Sequence, residues 1–381
     1  MRIAFVYDWI DKFGGAERVL LALHEIWPEA PLFTAVYNKK KADWATVFKI
    51  KSSFLDKIPF SSKRHELFPT ITPYVFESFN FDDFDVVLSI TSSDSKAIIT
   101  KPQTLHICYC LTPTRYLWSG YRDYLSEPGV GLLNPLARIL MKTLLSSLRK
   151  WDYLSSNRPD KYIAISETVA QRIKNYYKKE AEVIYPPVDT NKFRPRSPSH
   201  GRSPSGHLPG ANQDYFLIVS RLVPYKKIDY VIAAFNRLGW PLKIIGSGID
   251  EGRLHKLAKS NIEFITANLT DEKLCCYYQN CKALIFPGEE DFGLTSVEAQ
   301  ACGKPVIGLG RGGVGETIIA GHTGEIYTTP DKESLISVLN KFNGKTYSSS
   351  VCRKNAMRFS KIRFQQKVKT TVFAYWQKFI T

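Results

Sequence analysis

Short apolar runs alternate with helix-patterned stretches twice along this 381-residue chain, and a segment without periodicity separates the two series. The first series places strand candidates at residues 3–7, 86–90, 105–110 and 162–165, with apolar residues at helical spacing over 16–26. The second restarts at 215–219 and continues at 242–245, 262–265, 283–286 and 306–307. A strand followed by a helix and then another strand builds a parallel, doubly wound sheet. The chain is too long for one ordinary core and fits two domains of roughly 150–200 residues each. The expected class is therefore α/β, with two Rossmann-like domains facing a cleft.

The breaks set the boundaries. Tyr185-Pro-Pro-Val-Asp189 closes the first half, because two prolines stop regular structure. Residues 194–212 are rich in Pro, Ser, Gly and basic side chains and read as a flexible surface segment. The expected division is 1–190, a linker at 191–213, a second domain at 214–360, and a last segment at 361–381. In that segment Phe364, Val368, Val372, Trp376 and Phe379 mark an amphipathic helix.

Composition excludes several classes. No run approaches the roughly 18 apolar residues of a membrane span. The first residues, Met-Arg-Ile-Ala-Phe-Val-Tyr-Asp8, read as a buried strand and not as a signal peptide. The seven cysteines lack the paired spacing of a zinc site and read as idle thiols in a reducing cytosol. No metal is expected. A net charge of +16 leaves three readings: an anionic membrane face or anionic substrates, general solubility, or nucleic acid. The charge is spread in small groups such as Lys39-Lys40-Lys41, Lys63-Arg64 and Arg149-Lys150, without a nucleic-acid module, so nucleic acid is the weakest. The helix expected over 136–151 bears Leu136, Ile139, Leu140, Leu144, Leu148 and Trp151 on one face and Arg138, Lys142, Arg149 and Lys150 elsewhere. It fits a membrane interface, or a core helix with a solvated basic face.

Polar motifs follow the strand candidates, at the ends where open α/β sheets bind ligands. Gly14-Gly15 opens the first helix; it can present free N–H groups to an anion or simply form a tight turn. Ser220-Arg221-Leu-Val-Pro-Tyr-Lys226 supplies a guanidinium and an ammonium for a diphosphate. Gly246-Ser-Gly248 and Gly310-Arg-Gly-Gly313-Val-Gly-Glu316 allow backbone approach to a ligand; the first also fits an ordinary strand-end turn and the second a mobile loop. The most specific block is Glu290-Asp-Phe292-Gly293-Leu294-Thr295-Ser-Val-Glu298. Glu290 falls in a loop facing sugar hydroxyls, amides at Phe292–Leu294 begin a helix, and Glu298 can reach a ribose diol. Two carboxylates acting as acid and base in hydrolysis is a rival reading that spacing alone leaves open.

That block continues into Ala-Gln-Ala-Cys-Gly303-Lys-Pro-Val. With Arg221, Lys226 and Gly312-Gly313…Glu316-Thr317 it resembles the retaining glycosyltransferases of family 4, in the GT-B class. In the first half, Gly14-Gly15-Ala-Glu-Arg, His106 to Trp118 and Tyr185-Pro-Pro-Val-Asp189 are similar to the mannosyltransferase-like subgroup of O-antigen and exopolysaccharide assembly. The resemblance implies an N-terminal acceptor domain, a C-terminal domain for a nucleotide sugar such as GDP-mannose, and a last helix crossing back to the first domain. It implies Arg221 and Lys226 on the diphosphate, Glu298 on the ribose and Glu290 on the transferred hexose, and leaves Arg115 as an acceptor-side or phosphate contact. Anomeric configuration would be retained without cofactor or metal, and the nucleotide sugar would be a co-substrate. The acceptor would be a glycan or lipid-linked glycan at the cytoplasmic face of the inner membrane. One position departs from the pattern: Leu111 precedes Thr112-Pro113 where relatives often carry a histidine close to the reacting sugar. This keeps open a non-catalytic sugar-nucleotide-binding subunit; an epimerase or phosphorylase of the same fold is a further alternative. His106 reads as structural.

Overall fold

A computed structural model of the chain describes residues 1–58, 71–126, 131, 134–196, 215–266, 269–343 and 346–381. These form two compact units, Met1–Pro187 with Phe364–Thr381, and Val188–Arg363. The Lys63-Arg64 pair and most of the 194–212 segment lie outside the described residues.

The first unit holds β1 (Ile3–Tyr7), β2 (Leu32–Thr34), β3 (Ile50–Ser52), β4 (Val86–Thr91), β5 (Leu105–Cys110), β6 (Lys161–Ala164) and β7 (Glu182–Val183). Their order is β3-β2-β1-β4-β5-β6-β7, and every pairing is parallel. Helices on both faces bury β1, β4 and β5 at every residue, which is why these strands are mostly apolar, with Ser89, Thr91 and His106 the polar exceptions. Three strands escaped the sequence reading. β2 and β3 have three residues each and β7 two, too short to show a period, and ladder pairing holds them.

The second unit holds β8 (Phe216–Val219), β9 (Leu242–Ile245), β10 (Ile262–Ile265), β11 (Leu284–Phe286), β12 (Val306–Leu309) and β13 (Gly324–Tyr327), in the order β10-β9-β8-β11-β12-β13. These too are all parallel. β13 was not anticipated because it opens on a glycine. At φ +155° a Cβ on Gly324 would lie 1.8 Å from the Val306 carbonyl oxygen, so only glycine fits there. Each sheet reverses its strand order once, between β1 and β4 and between β8 and β11. Those are the switch points where parallel sheets leave a crevice.

Residues 361–381 form the amphipathic helix that the spacing predicts, Lys361–Ile380. It buries Phe364, Val368 and Val372, with Phe364 edge-on to Tyr109 at 5.9 Å. Gln365 donates to the Ala22 carbonyl and Tyr375 to Glu182, so from Phe364 onwards the helix belongs to the first unit.

The start of the expected linker is packed, not loose. Phe193 is completely buried and stands edge-on to Tyr278 at 5.8 Å. The Arg353 guanidinium donates to the carbonyls of Thr190, Phe193 and Ala301 at 2.6–2.9 Å. Composition suggested flexibility, but one aromatic residue and one guanidinium pin residues 190–194 to the second unit. Phe193→Ala should therefore cost about 3–5 kcal/mol, the range for a buried aromatic truncated to a cavity. A urea titration of the intact chain reads this directly; a change within 0.5 kcal/mol, as expected of a loose linker, would contradict the packing.

Candidate active site

Parallel strands deliver their C-terminal ends to one edge, and in the second unit four neighbouring ends carry the predicted motifs. After β8 the chain makes a short 3-10 turn, Pro224–Lys226, which turns Lys226 inward until it is 6% exposed. Its ammonium pairs with the Glu290 carboxylate, which follows β11 and stays about one quarter exposed. Gly288 makes this approach feasible, since a Cβ there would sit 3.3 Å from the Lys226 carbonyl oxygen. Arg221 behaves differently: its guanidinium lies on the surface and donates to the Tyr225 hydroxyl at 2.6 Å.

The loop after β12 is pressed onto the same place. Gly313 N–H donates to the Glu290 carbonyl at 2.8 Å, and Glu290 bridges Gly312. Gly312 has φ +72°, and a Cβ on it would stand 2.3 Å from the Glu290 oxygen. Gly246, after β9, has φ +141° and would meet the Ser220 oxygen at 1.9 Å. Glu316 lies half-buried in the short helix Val314–Thr317.

Gly293, at φ +92°, starts the helix Leu294–Ala301 with no side-chain cap. The first amides of a helix have no partner within it, and the helix dipole is positive there. That start, at Leu294 and Thr295, is suited to receiving an anion or an oxygen ligand. Phe292, whose amide was expected at the ligand, packs its side chain inward, with its ring 5.4 Å from Phe359. Glu298 also differs from expectation. It is 3% exposed and its carboxylate accepts from the Tyr278 hydroxyl at 2.8 Å, so it faces a neighbouring helix. The sequence reading missed Tyr278 because it lies on another helix, Asp271–Asn280.

In the first unit, Gly14 caps the helix Gly15–His24, while Arg115 lies half-buried in the turn after β5. Gly15 opens that helix; Glu17, in its first turn, faces inward and accepts from the Tyr7 hydroxyl at 2.6 Å, and burial raises its pKa. Asp8 fastens the switch point. One oxygen accepts from the Thr91 hydroxyl and the Ser95 amide, the other from Ser92, across to the loop after β4. Beside it burial lifts Asp94 to about 7, against the pull of Lys96. Lys96 is buried on Asp152 at 2.6 Å, and Asp152 also accepts from Thr114 and from the Trp118 indole. The signal for this network was available: Asp8 and Ser92-Ser93-Asp94 are polar residues that directly follow two mainly apolar strands.

Leu111 is half-buried just past β5, its amide donating to the Thr91 carbonyl. His106 sits near the opposite end of that strand, fully buried, with Nε2 2.8 Å from the Ser89 hydroxyl. Among the described residues, no group of three or more His, Cys, Asp or Glu side chains stands together that could hold a metal ion.

Residues 203–359 match the model of a known family, described as glycosyl transferases group 1. An uncharacterized glycosyltransferase of Methanocaldococcus jannaschii is 26% identical over 60% of this chain and 65% of its own length. A D-inositol 3-phosphate glycosyltransferase of Streptomyces bingchenggensis is 31% identical over 43% of this chain, which spans only 41% of that relative. Among solved structures, HepE of Anabaena in complex with UDP and glucose aligns over 98% of this chain and 99% of its own, with a TM-score of 0.70 and 17% identity. A sucrose-phosphate synthase from Thermosynechococcus elongatus covers 99% and 100%, with a TM-score of 0.71 and 15% identity. These likenesses show the fold, which is GT-B.

Burial lowers the His106 pKa from 6.5 to about 3. The unfolded chain takes up a proton near 6.5 that the folded protein refuses until about 3. Its contribution to stability is thus complete above pH 6.5 and is lost as pH falls towards 3. Imidazole NMR of the native protein should find His106 neutral at pH 5; a midpoint near 6.5 would place it in solvent and contradict the burial.

Proposed function

We propose that this chain is a retaining glycosyltransferase of group 1 that moves a hexose from a nucleoside diphosphate sugar to a glycan or lipid-linked acceptor. The observation that carries the reading is the Lys226–Glu290 pair, set at the β8/β11 switch point beside the uncapped start of the helix Leu294–Ala301. A buried ammonium, a nearby surface guanidinium at Arg221 and free helix amides suit a diphosphate. A carboxylate among them suits the hydroxyls of the attached sugar.

In the proposed reaction the bond from the anomeric carbon to the phosphate oxygen breaks, and the acceptor oxygen bonds to that carbon on the same face. The acceptor proton passes to the departing phosphate oxygen. Arg221 and Lys226 stabilise the diphosphate charge as it develops, and Glu290 holds the sugar. Glu298 would hold the ribose from the same helix on which it accepts from Tyr278, so its contribution is coupled to that contact. Arg115 and the amides at Gly14-Gly15 serve the acceptor. No metal step is required in this scheme.

GDP-mannose is the donor favoured by the motif resemblance, whereas the HepE complex with UDP and glucose supports a UDP sugar. Thermal-shift screening with GDP, UDP, ADP and dTDP sugars separates the two. With the stabilising donor, Arg221→Ala and Glu290→Ala should each lower turnover by about 10²–10³-fold, the range for losing one charge-stabilising group. Full activity in Arg221→Ala would refute the diphosphate assignment. Donor binding without turnover, across acceptors that include D-inositol 3-phosphate, would favour a non-catalytic subunit. Phosphate-dependent sugar release would favour a phosphorylase.

The acceptor surface is proposed to lie at an anionic, cytoplasmic membrane face. The helix Asn134–Ser155 leaves Leu136, Ile139, Leu140 and Leu154 at least half exposed, so the first turns of its apolar face do not serve the core. Among the described residues no helix is long and apolar enough to cross a membrane. Arg138, Lys142 and Lys150 on the same helix would each add about 1 kcal/mol at an anionic surface. The protein should sediment with vesicles containing phosphatidylglycerol and not with neutral ones, and the combined Leu136→Ser, Ile139→Ser, Leu140→Ser variant should lose at least half of that binding. Equal sedimentation of variant and wild type would refute the helix as the contact.

A further inference from the structure

We infer that Cys275 and Cys302 form an oxidation-sensitive thiol pair whose closure as a disulfide weakens nucleotide-sugar binding. The second half of that statement rests on the proposed donor site; the first does not.

The two sulfurs are 3.6 Å apart, and both residues are more than nine-tenths buried. Cys275 lies on the helix Asp271–Asn280, and Cys302 directly follows the helix Leu294–Ala301. The same two helices are already joined by the Tyr278–Glu298 hydrogen bond. Tyr278 is one turn beyond Cys275, and Glu298 one turn before Cys302. The thiol contact and the hydrogen bond are therefore parallel links across one helix pair, and a change in one is transmitted to the other.

The two thiols are not equivalent. Cys275 receives a hydrogen bond from the Gln279 amide at 3.3 Å, lies near the Lys192 and Arg194 carbonyls, and has its pKa lowered to about 7, chiefly by the hydrogen bond from Cys302. Cys302 is pushed the other way by the same contact and by burial. The arrangement pairs a thiol that ionises near neutrality with a neighbour that stays protonated. In ionisation that is the division between a peroxide-reactive cysteine and its resolving partner, with Cys275, 7% exposed, the more open of the two. By contrast, burial raises Cys281 to about 12 and Cys352 to about 11.

The chemistry balances with hydrogen peroxide as oxidant. The Cys275 thiolate attacks one peroxide oxygen, the O–O bond breaks, and hydroxide leaves to become water. The resulting sulfenic acid is attacked by the Cys302 sulfur, which gives up its proton, and a second water departs as the S–S bond forms. Two thiols are oxidised and one peroxide is reduced. A disulfide requires about 2.05 Å between sulfurs, so the pair must close by roughly 1.5 Å. Interiors are close-packed, so this movement shifts the helix that carries Glu298 and whose start faces the proposed diphosphate site.

The test treats the intact protein with graded hydrogen peroxide, followed by peptide mass spectrometry and by titration with the donor found in the thermal-shift screen. The expected result is a Cys275–Cys302 cross-linked peptide reversed by dithiothreitol, with donor affinity weakened at least about 5-fold while the link is present. Cys302→Ser should keep its reduced-state donor affinity, lose peroxide sensitivity, and accumulate a dimedone-reactive sulfenic acid at Cys275. Oxidation of exposed Cys276 before any cross-link forms would overturn the thiol pair. A reversible cross-link with unchanged donor affinity would overturn the coupling. A protein that binds no nucleotide sugar would refute the donor site together with that coupling, while the cross-link and dimedone readouts would still decide the pair.

Discussion

An ammonium group cannot leave water without a counter-charge, and Lys226 at 6% exposure has Glu290 as its counter-charge. That requirement organises the edge of the second sheet. The loops after β8 and β11 must lie side by side for the pair to form, which leaves a side chain at Gly288 only a tight fit, 3.3 Å from the Lys226 carbonyl oxygen. Gly312 and Gly313 then close over Glu290 from the β12 side, through a main-chain bond that a Cβ would block. The glycines are consequences of the ion pair: they allow three loops to approach where a charged pair has to be kept nearly dry.

The first unit contains a second buried lysine near a switch point, and the two pairs differ in how far solvent reaches them. Asp152 gives its oxygens to Lys96, Thr114 and the Trp118 indole, and Asp152, Lys96 and Thr114 are all buried. Such a fully satisfied network fixes its surroundings, here the turn that carries Arg115. Glu290 holds Lys226 but keeps about a quarter of its side chain in solvent. An incoming phosphate could compete for that lysine without first dismantling a core.

Residues with one clear environment were legible in the sequence. β1, β5, β9 and β10 were found because each is mainly apolar, β1 and β5 being buried at every residue, and Lys226, Glu290 and the glycine blocks because they follow such runs. β2, β3 and β7 depend on ladder partners and not on their own pattern, so two or three residues gave no signal. The packed start of the linker was hidden for a related reason. Phe193 and Arg353 are 160 residues apart in the chain, and only the fold brings them together. Tyr278, Asp152 and the Cys275–Cys302 contact are likewise products of tertiary structure.

The two glutamates of the most specific motif looked interchangeable in sequence, and a hydrolytic acid–base pair was consistent with their spacing. The structure separates them. Glycosidase carboxylates have to face one another across a scissile bond, roughly 5–10 Å apart, with one able to donate a proton. Glu290 is occupied by an ammonium at the strand edge, which suits it to accept and not to donate. Glu298 lies inside its helix, 3% exposed and turned towards Tyr278 on a neighbouring helix. One carboxylate is tied to a cation and the other accepts from a tyrosine hydroxyl, so in this structure neither stands as a ready proton donor. What remains at the edge is a cation–carboxylate pair beside free helix amides, an arrangement matched to a diphosphate with a polyol attached.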